Sequence, residues 1–261
     1  MKTAALLTVF AFLAFIAPAS AEDQGFADLA LEPHPGARLP LAAALRDETG
    51  APVSLGDFFT GNPVVLVLEY LRCRTICGVV LGNLAEAAAV PPSSARGYTV
   101  LAISIDPRDT PADAAAAKTR YLARYPAPAA SAWHFLTGSE AAVRAIGDTT
   151  GFHYRYDRAS DQYIHSAALV IAAPEGNVAG YIADLELTPA TLAAALDTAN
   201  AGRTTGPLQR LLLLCFGGSA SGRYTPLIQA ALVLFNIAGM LAACGLFLWL
   251  AVISIAERAD V

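Results

Sequence analysis

Charge is scarce in this chain. Of its 261 residues 15% are Asp, Glu, Lys or Arg, and the formal net charge is −5 with no basic cluster. A nucleic-acid partner is excluded on that ground, because a nucleic-acid surface needs clustered Lys and Arg. No internal repeat is present, and the alanine-rich patches have the composition of helices rather than of low-complexity sequence. Cysteine is sparse too, at four, and no two are spaced Cys-x2-Cys. The usual spacing of a dedicated dithiol oxidoreductase is therefore missing. What the chain has in plenty is hydrophobic residues, at 55%. The two ends hold much of that excess, which leaves a middle long enough for one domain with a sizeable core.

The ends read as export and membrane signals. Met1 to Ala21 has a charged Lys2, an apolar stretch from Ala4 to Ala17 and a small-x-small site at Ala19-Ser20-Ala21. That pattern is a secretory signal peptide at 1–21, cut before Glu22. Its apolar run is short for a membrane span. Leu227 to Ala256, by contrast, is apolar for about thirty residues, which is ample for a single transmembrane helix. Export places the middle of the chain on the outer, periplasmic side, in an oxidising compartment, and leaves 257–261 as a short cytoplasmic tail.

Chemistry concentrates at one junction. Val64 to Leu68 is an apolar, β-branched run that suits a buried strand. Cys73 and Cys77 follow, and residues from Gly78 to Ala89 read as helix. Residues four apart share a helix face with Cβ atoms about 5–6 Å apart, whereas a disulfide wants them nearer roughly 3.5–4.5 Å. A regular turn thus favours a metal between the sulfurs, although local distortion would permit the bond. A helix N-terminus supplies the thiolate that either chemistry needs. Two reduced cysteines packed as small hydrophobes are the plain structural alternative.

The rest of the middle alternates strands and helices. A hairpin is expected over Leu41–Phe59 around Asp47-Glu-Thr-Gly50, and a second apolar strand over Tyr98–Ile105. Asp109 or Thr110 caps a helix opened by Pro111 and running to about Tyr125. Trp133–Leu136 is a strand, and Ser139 caps a helix to Asp148. Strand-like runs at Phe152–Tyr156, Ala167–Ala172 and Val178–Ile182 precede a last helix over Thr188–Ala199. Strand–helix–strand order with short connections implies a parallel core with active loops at the carboxyl ends of its strands. The cysteines and the Asp106 loop both fall at that edge. His34 reads as an exposed loop histidine and His134 as a packed or surface one. His165 stands at a strand mouth after a polar loop. Two thiolates and an imidazole make a soft donor set that suits copper, or zinc with a fourth ligand, but a lone histidine at a strand end is more often structural.

Taken together, Asp47-Glu-Thr-Gly50, Pro63 to Tyr70, Cys73-x3-Cys77, Ser104-Ile-Asp-Pro-Arg-Asp-Thr-Pro111, Trp133-His-Phe-Leu-Thr-Gly138, Phe152-His-Tyr-Arg-Tyr156 and Tyr163-x-His165 resemble the SCO/SenC family. The pieces stand in the family's order over roughly 39–195. The resemblance implies an α/β, thioredoxin-like domain with a central mixed sheet flanked by helices. It implies copper as the bound ion, with Cys73, Cys77 and His165 as its ligands. It also implies a cytochrome c oxidase copper-site subunit as the partner, to which copper is delivered or whose site is prepared. The corresponding organisation is signal peptide 1–21, linker 22–38, domain 39–200, juxtamembrane segment 201–226, transmembrane helix 227–256 and tail 257–261.

Two departures from the family stand beside the ligands: Arg74 and Ser166 replace the usual prolines. A cation next to Cys73 favours thiolate. The alternative chemistry is thiol–disulfide exchange, in which Cys73 and Cys77 reduce client cysteines and a thioredoxin-like reductant restores them. No proline lies between Asp157 and Ala173, so the cis-proline expected beside such a redox pair has no obvious place. Peroxide reduction or redox sensing by the same pair is a third reading. Cys244 reads as inert packing within the span, and Cys215 as either a reactive or interchain thiol or one buried at the lipid boundary.

Overall fold

The computed structural model describes residue 29 and residues 31–72, 77–88, 97–124, 133–183, 187–204, 206 and 225–259. The signal-peptide segment, Cys73 and Cys215 lie outside the described residues. Nine strands are named among them: β1 (Ala44–Arg46), β2 (Pro52–Ser54), β3 (Val64–Glu69), β4 (Thr99–Ser104), β5 (Trp133–Gly138), β6 (Tyr154–Asp157), β7 (Gln162–His165), β8 (Ala168–Ala172) and β9 (Val178–Ala183). The helices are α1 (Cys77–Ala88), α2 (Pro111–Arg124), α3 (Glu140–Thr150), α4 (Pro189–Asn200) and α5 (Thr225–Ala259).

Seven strands form one sheet in the order β2-β1-β5-β4-β3-β8-β9, and β6 with β7 forms a separate hairpin. The centre is parallel, β3 on β4 and β4 on β5, and antiparallel strands extend it at both sides. The parallel core inferred from the strand–helix alternation is therefore present within a mixed sheet. Every residue of β3 is buried, as expected of a central strand covered on both faces. Its side chains alternate between two cores. Val64, Leu66 and Leu68 pack with Val143 and Ile146 of α3. Val65 and Val67 pack with Val80, Leu81 and Leu84 of α1, Ala114 and Ala117 of α2, and Leu192 and Leu196 of α4. The architecture is the mixed, thioredoxin-like α/β arrangement that the motifs implied.

Helix ends follow local chemistry. The Ser139 side chain accepts from the Ala142 N–H, and Thr188 caps α4 with Pro189 in its first turn. At α2 the choice between Asp109 and Thr110 falls to Thr110. Its Oγ1 accepts from the Asp113 N–H while Asp113 accepts from Thr110, and Asp109 turns inward. The first two strands are shorter than the hairpin expected over Leu41–Phe59, because a 3-10 turn at Leu55–Phe58 takes over from β2.

At the C-terminal end, α5 covers the stretch expected to cross a membrane. Leu232, Leu234, Phe235, Leu241, Leu246 and Trp249 are exposed on it, and Cys244 is an exposed free thiol. Among the described residues no helix is long and apolar enough to cross a membrane.

The segment before β1 is strapped to the domain. Leu31 is buried, and the Glu32 N–H donates to the Gly151 carbonyl at 2.8 Å. Gly151 ends α3 in the left-handed region at φ +68°, where a Cβ would meet the Glu32 carbonyl oxygen at 1.6 Å. Glycine is required there twice over, by conformation and by the closeness of backbone. Gly151→Ala should lower stability by more than the roughly 1–2 kcal/mol that left-handed backbone alone costs. Urea unfolding measures this, and a smaller loss would show that the strap moves aside freely.

Candidate metal centre

The carboxyl ends of β3 and β4 meet in a network of buried carboxylates. Asp109, in the loop after β4, accepts from the Leu71 N–H at 2.8 Å, from Ser104 Oγ at 2.7 Å and from Arg72 Nε at 2.6 Å. Asp106 accepts from Arg72 Nη2 at 3.0 Å and from Arg108 Nε at 2.9 Å. Arg108 continues outward to Asp161 at 3.1 Å and lies over the Tyr156 ring, 4.8 Å from its centre. The loop after β4 and the β6–β7 hairpin thus hold the backbone that leads directly into Cys73. Burial raises the Asp106 pKa, but the side-chain and backbone hydrogen bonds from Arg108 outweigh it and bring the carboxyl below its ordinary value. A polar cleft of about 630 Å3 opens over this network, lined by Tyr70, Arg72, Asp106, Arg108, Arg120 and Asp161 among others. That is room enough for a side chain of another molecule.

His165 is the last residue of β7 and sits against aromatic rings. Phe152 lies 5.7 Å away between ring centres and Tyr70 6.2 Å away, edge-on. Tyr163 in turn contacts Tyr70, Tyr154 and Tyr156. Burial lowers the His165 pKa, so the imidazole is held neutral, the form that binds metals. Its Nδ1 lies 2.9 Å from the Ser166 carbonyl oxygen. A carbonyl only accepts, so Nδ1 carries the proton and the lone pair of the neutral ring stands on Nε2. Burial also pushes the Tyr163 phenol up to about 12, which keeps it protonated and removes it as an anionic donor.

Cys77 opens α1. One turn further on, Val80 lines a narrow cleft together with Glu69, His165 and Ser166. The fold therefore carries His165 to the first turn of the helix that Cys77 begins. Among the described residues no three His, Cys, Asp or Glu side chains converge as a metal site, and His165 is the one expected ligand whose side chain is described. The donor set fits a soft metal in its chemistry: a neutral imidazole with a fixed tautomer, next to a helix start that bears a thiol. His34 is exposed, and His134 packs half-buried against the Phe58 ring and 3.5 Å from Glu48, so both stand apart from this region as expected.

Several contributors were not legible beforehand. Asp109 reads from the sequence as one of two candidate caps, and Arg72 carries no signal there. Glu69 carried a visible signal, a lone acid at the end of an apolar strand, whose meaning depends on where that strand sits.

The model of the SCO1/SenC family matches residues 42–200. The chain belongs to the SCO1/SenC family. Among solved structures, the chain is similar to Arabidopsis thaliana ScoI with copper bound, at 20% identity over 63% of this chain and 99% of that one, with TM-score 0.51. It is similar to a SCO1/SenC family lipoprotein from Bacillus anthracis str. Ames, at 17% identity over 62% and 95%, with TM-score 0.53. It is also similar to BsSco, a member of the Sco family of cytochrome c oxidase assembly proteins, at 20% identity over 65% and 98%, with TM-score 0.52. No curated protein matches the sequence. At these identities the solved structures establish the shared fold, and the family match spans both cysteines, the Asp106 loop and His165.

Two outcomes are expected for the carboxylate network. Asp109→Ala leaves the buried Leu71 N–H and Ser104 hydroxyl without their acceptor and should cost about 1–3 kcal/mol in urea unfolding; an unchanged midpoint would show that water replaces the carboxylate. The Asp106 contribution is fully present above the ordinary aspartate value of 3.8 and is lost as pH falls through the lower folded value. Asp106→Asn should therefore remove part of the wild type's loss of stability below that pH, read from unfolding curves taken across the acid range.

Proposed function

We propose that this SCO1/SenC protein is a membrane-anchored copper chaperone. It holds copper as cargo through Cys73, Cys77 and His165 and delivers it to the copper-site subunit of a cytochrome c oxidase. The observation that carries this reading is the buried His165. A carbonyl fixes its tautomer, burial keeps it neutral, and it stands in the cleft that reaches the first turn after Cys77. Copper bound in Arabidopsis thaliana ScoI and the assembly role named for BsSco support the same assignment. Two thiolates and one imidazole suit copper(I), and release proceeds by exchange, client thiolates replacing these donors one at a time. The carboxylate network keeps the approach to Cys73 in place while its ligand loop exchanges partners.

The proposed organisation is a signal peptide at 1–21, a copper domain at 39–200 on the periplasmic side and a single membrane helix at 227–256. The exposed leucines, Phe235 and Trp249 of α5 support lipid as the covering of that helix. Anchoring there confines the copper loop to the membrane surface and raises its effective concentration near a membrane client.

A second reading rests on the same thiols. The BsSco structure is described with a disulfide switch, and the Cys73–Cys77 pair could likewise reduce client cysteines before copper arrives. Copper stoichiometry separates the two. The full chain, purified in detergent and reduced, is loaded with copper(I) and copper(II) beside Cys73→Ala, Cys77→Ala and His165→Ala. The expected result is a single tightly held copper per chain, lost in all three variants, with a thiolate-to-copper(II) charge-transfer band in the wild type. A folded protein without tight copper that still exchanges disulfides, and does so equally well as His165→Ala, would leave the reductase as the function.

A further inference from the structure

The polar cleft over the carboxylate network is lined by the guanidiniums of Arg72, Arg108 and Arg120. Arg72 spends Nε on Asp109 and Nη2 on Asp106, and its Nη1 has no hydrogen-bond partner among the described residues. Arg120 reaches the Leu71 carbonyl at 3.3 Å and lies over the Tyr121 ring, and it forms no ion pair among the described residues. Arg108 is gripped from behind, where Nε and Nη2 donate to Asp106 at 2.9 Å each. Its outward nitrogen, Nη1, donates to Asp161 at 3.1 Å. The other carboxylates here are committed. Asp106 and Asp109 are buried behind their arginines, and Asp113 accepts from the Thr110 N–H and hydroxyl at the start of α2.

Asp161 differs from these. Its side chain is 75% exposed, at the tip of the β6–β7 hairpin, which joins no strand of the main sheet. It is the one non-glycine among the described residues with a left-handed backbone, at φ +52°, a conformation that Asp and Asn tolerate better than other residues. So turned, it lays its carboxylate on Arg108 and accepts from the Tyr156 hydroxyl at 2.5 Å. An ion pair this exposed is weak. The cleft therefore already holds a carboxylate on one of its arginines, through a contact that a second carboxylate can replace.

We propose that this cleft is the docking site for an acidic side chain, Asp or Glu, of a partner protein, and that Asp161 is the internal carboxylate holding the place until the partner arrives. The incoming carboxylate takes Nη1 of Arg108 from Asp161. It completes its bonding on Arg72 or Arg120, whose remaining N–H groups belong to the same cleft. Planar guanidiniums match a carboxylate in geometry as well as in charge, and Asp161 shows that one fits here. Docking sets the partner at Leu71 and Arg72, the residues that follow β3. The inference goes beyond the copper reading and needs none of its ligands.

The test titrates the full chain in detergent, at low ionic strength, with the peptide acetyl-Ala-Glu-Ala-amide, and with its Gln counterpart as the neutral control. Binding is read from the arginine Nε–H signals in nuclear magnetic resonance spectra. The Glu peptide should shift the signals of Arg72, Arg108 and Arg120, and the Gln peptide should not. Asp161→Asn keeps the turn and removes the competing charge, and it should bind the Glu peptide about two- to fivefold more tightly, the range that a surface ion pair commands. Asp157→Asn removes a charge from the same hairpin tip, one held by Ala159 and Ser160 instead of by an arginine of the cleft, and it should change the affinity by less. Arg120→Gln, an exposed change outside the buried network, should weaken binding at least about twofold. Glu and Gln peptides that bind alike, or a Glu peptide that fails to bind even Asp161→Asn, would overturn the docking site. Equal tightening in Asp161→Asn and Asp157→Asn would overturn the place-holding role of Asp161. Inorganic phosphate that binds more tightly than the Glu peptide would overturn the assignment of the site to a carboxylate.

Discussion

Asp109 is the group on which the candidate site depends. One buried carboxylate ties the backbone just past β3, the hydroxyl that ends β4 and the guanidinium of Arg72. Parallel strands leave their carboxyl ends with loops that no neighbouring strand holds, and those loops are where such sheets do chemistry. The chain that leads toward the two cysteines starts here from a defined position. Hydrogen bonds to an ionised carboxylate in a dry setting are strong enough to fix that starting point. The exposed half of each arginine keeps the desolvation cost of the cluster down, since Arg72 and Arg108 remain about half open to water at 49% and 48%.

Around that anchor the fold sorts its polar groups by task. Asp106 and Asp109 are spent on structure, with their oxygens committed to arginines and backbone. The tyrosines about His165 are kept protonated by burial and provide walls instead of ligands. His165 has one ring nitrogen directed at a carbonyl, which defines the role of the other. Glu69 differs in that its Oε2 is buried with no hydrogen-bond partner among the described residues.

The C-terminal helix obeys a different logic. The domain buries its apolar residues in two cores, one on each face of the sheet, whereas α5 leaves large apolar side chains open. Burial in the domain comes from strand alternation against helices.

The sequence by itself determined a good deal. The continuous apolar runs specified β3, β4 and β8, because a buried central strand tolerates little else. Ser139, Thr188 and Pro189 specified where helices begin, because caps act within a single turn. The motif order from Cys73 to His165 specified the family. Only the tertiary structure decided the rest. Asp109 left its expected cap for a backbone N–H 38 positions earlier, a choice made by the packing of two loops and not by local propensity. His165 meets Tyr70, 95 residues earlier in the chain, because β3 pairs with β8, which follows directly from β7. Local signals name residue types and turns; which of them share one small volume is set by strand order, and strand order is a property of the closed sheet.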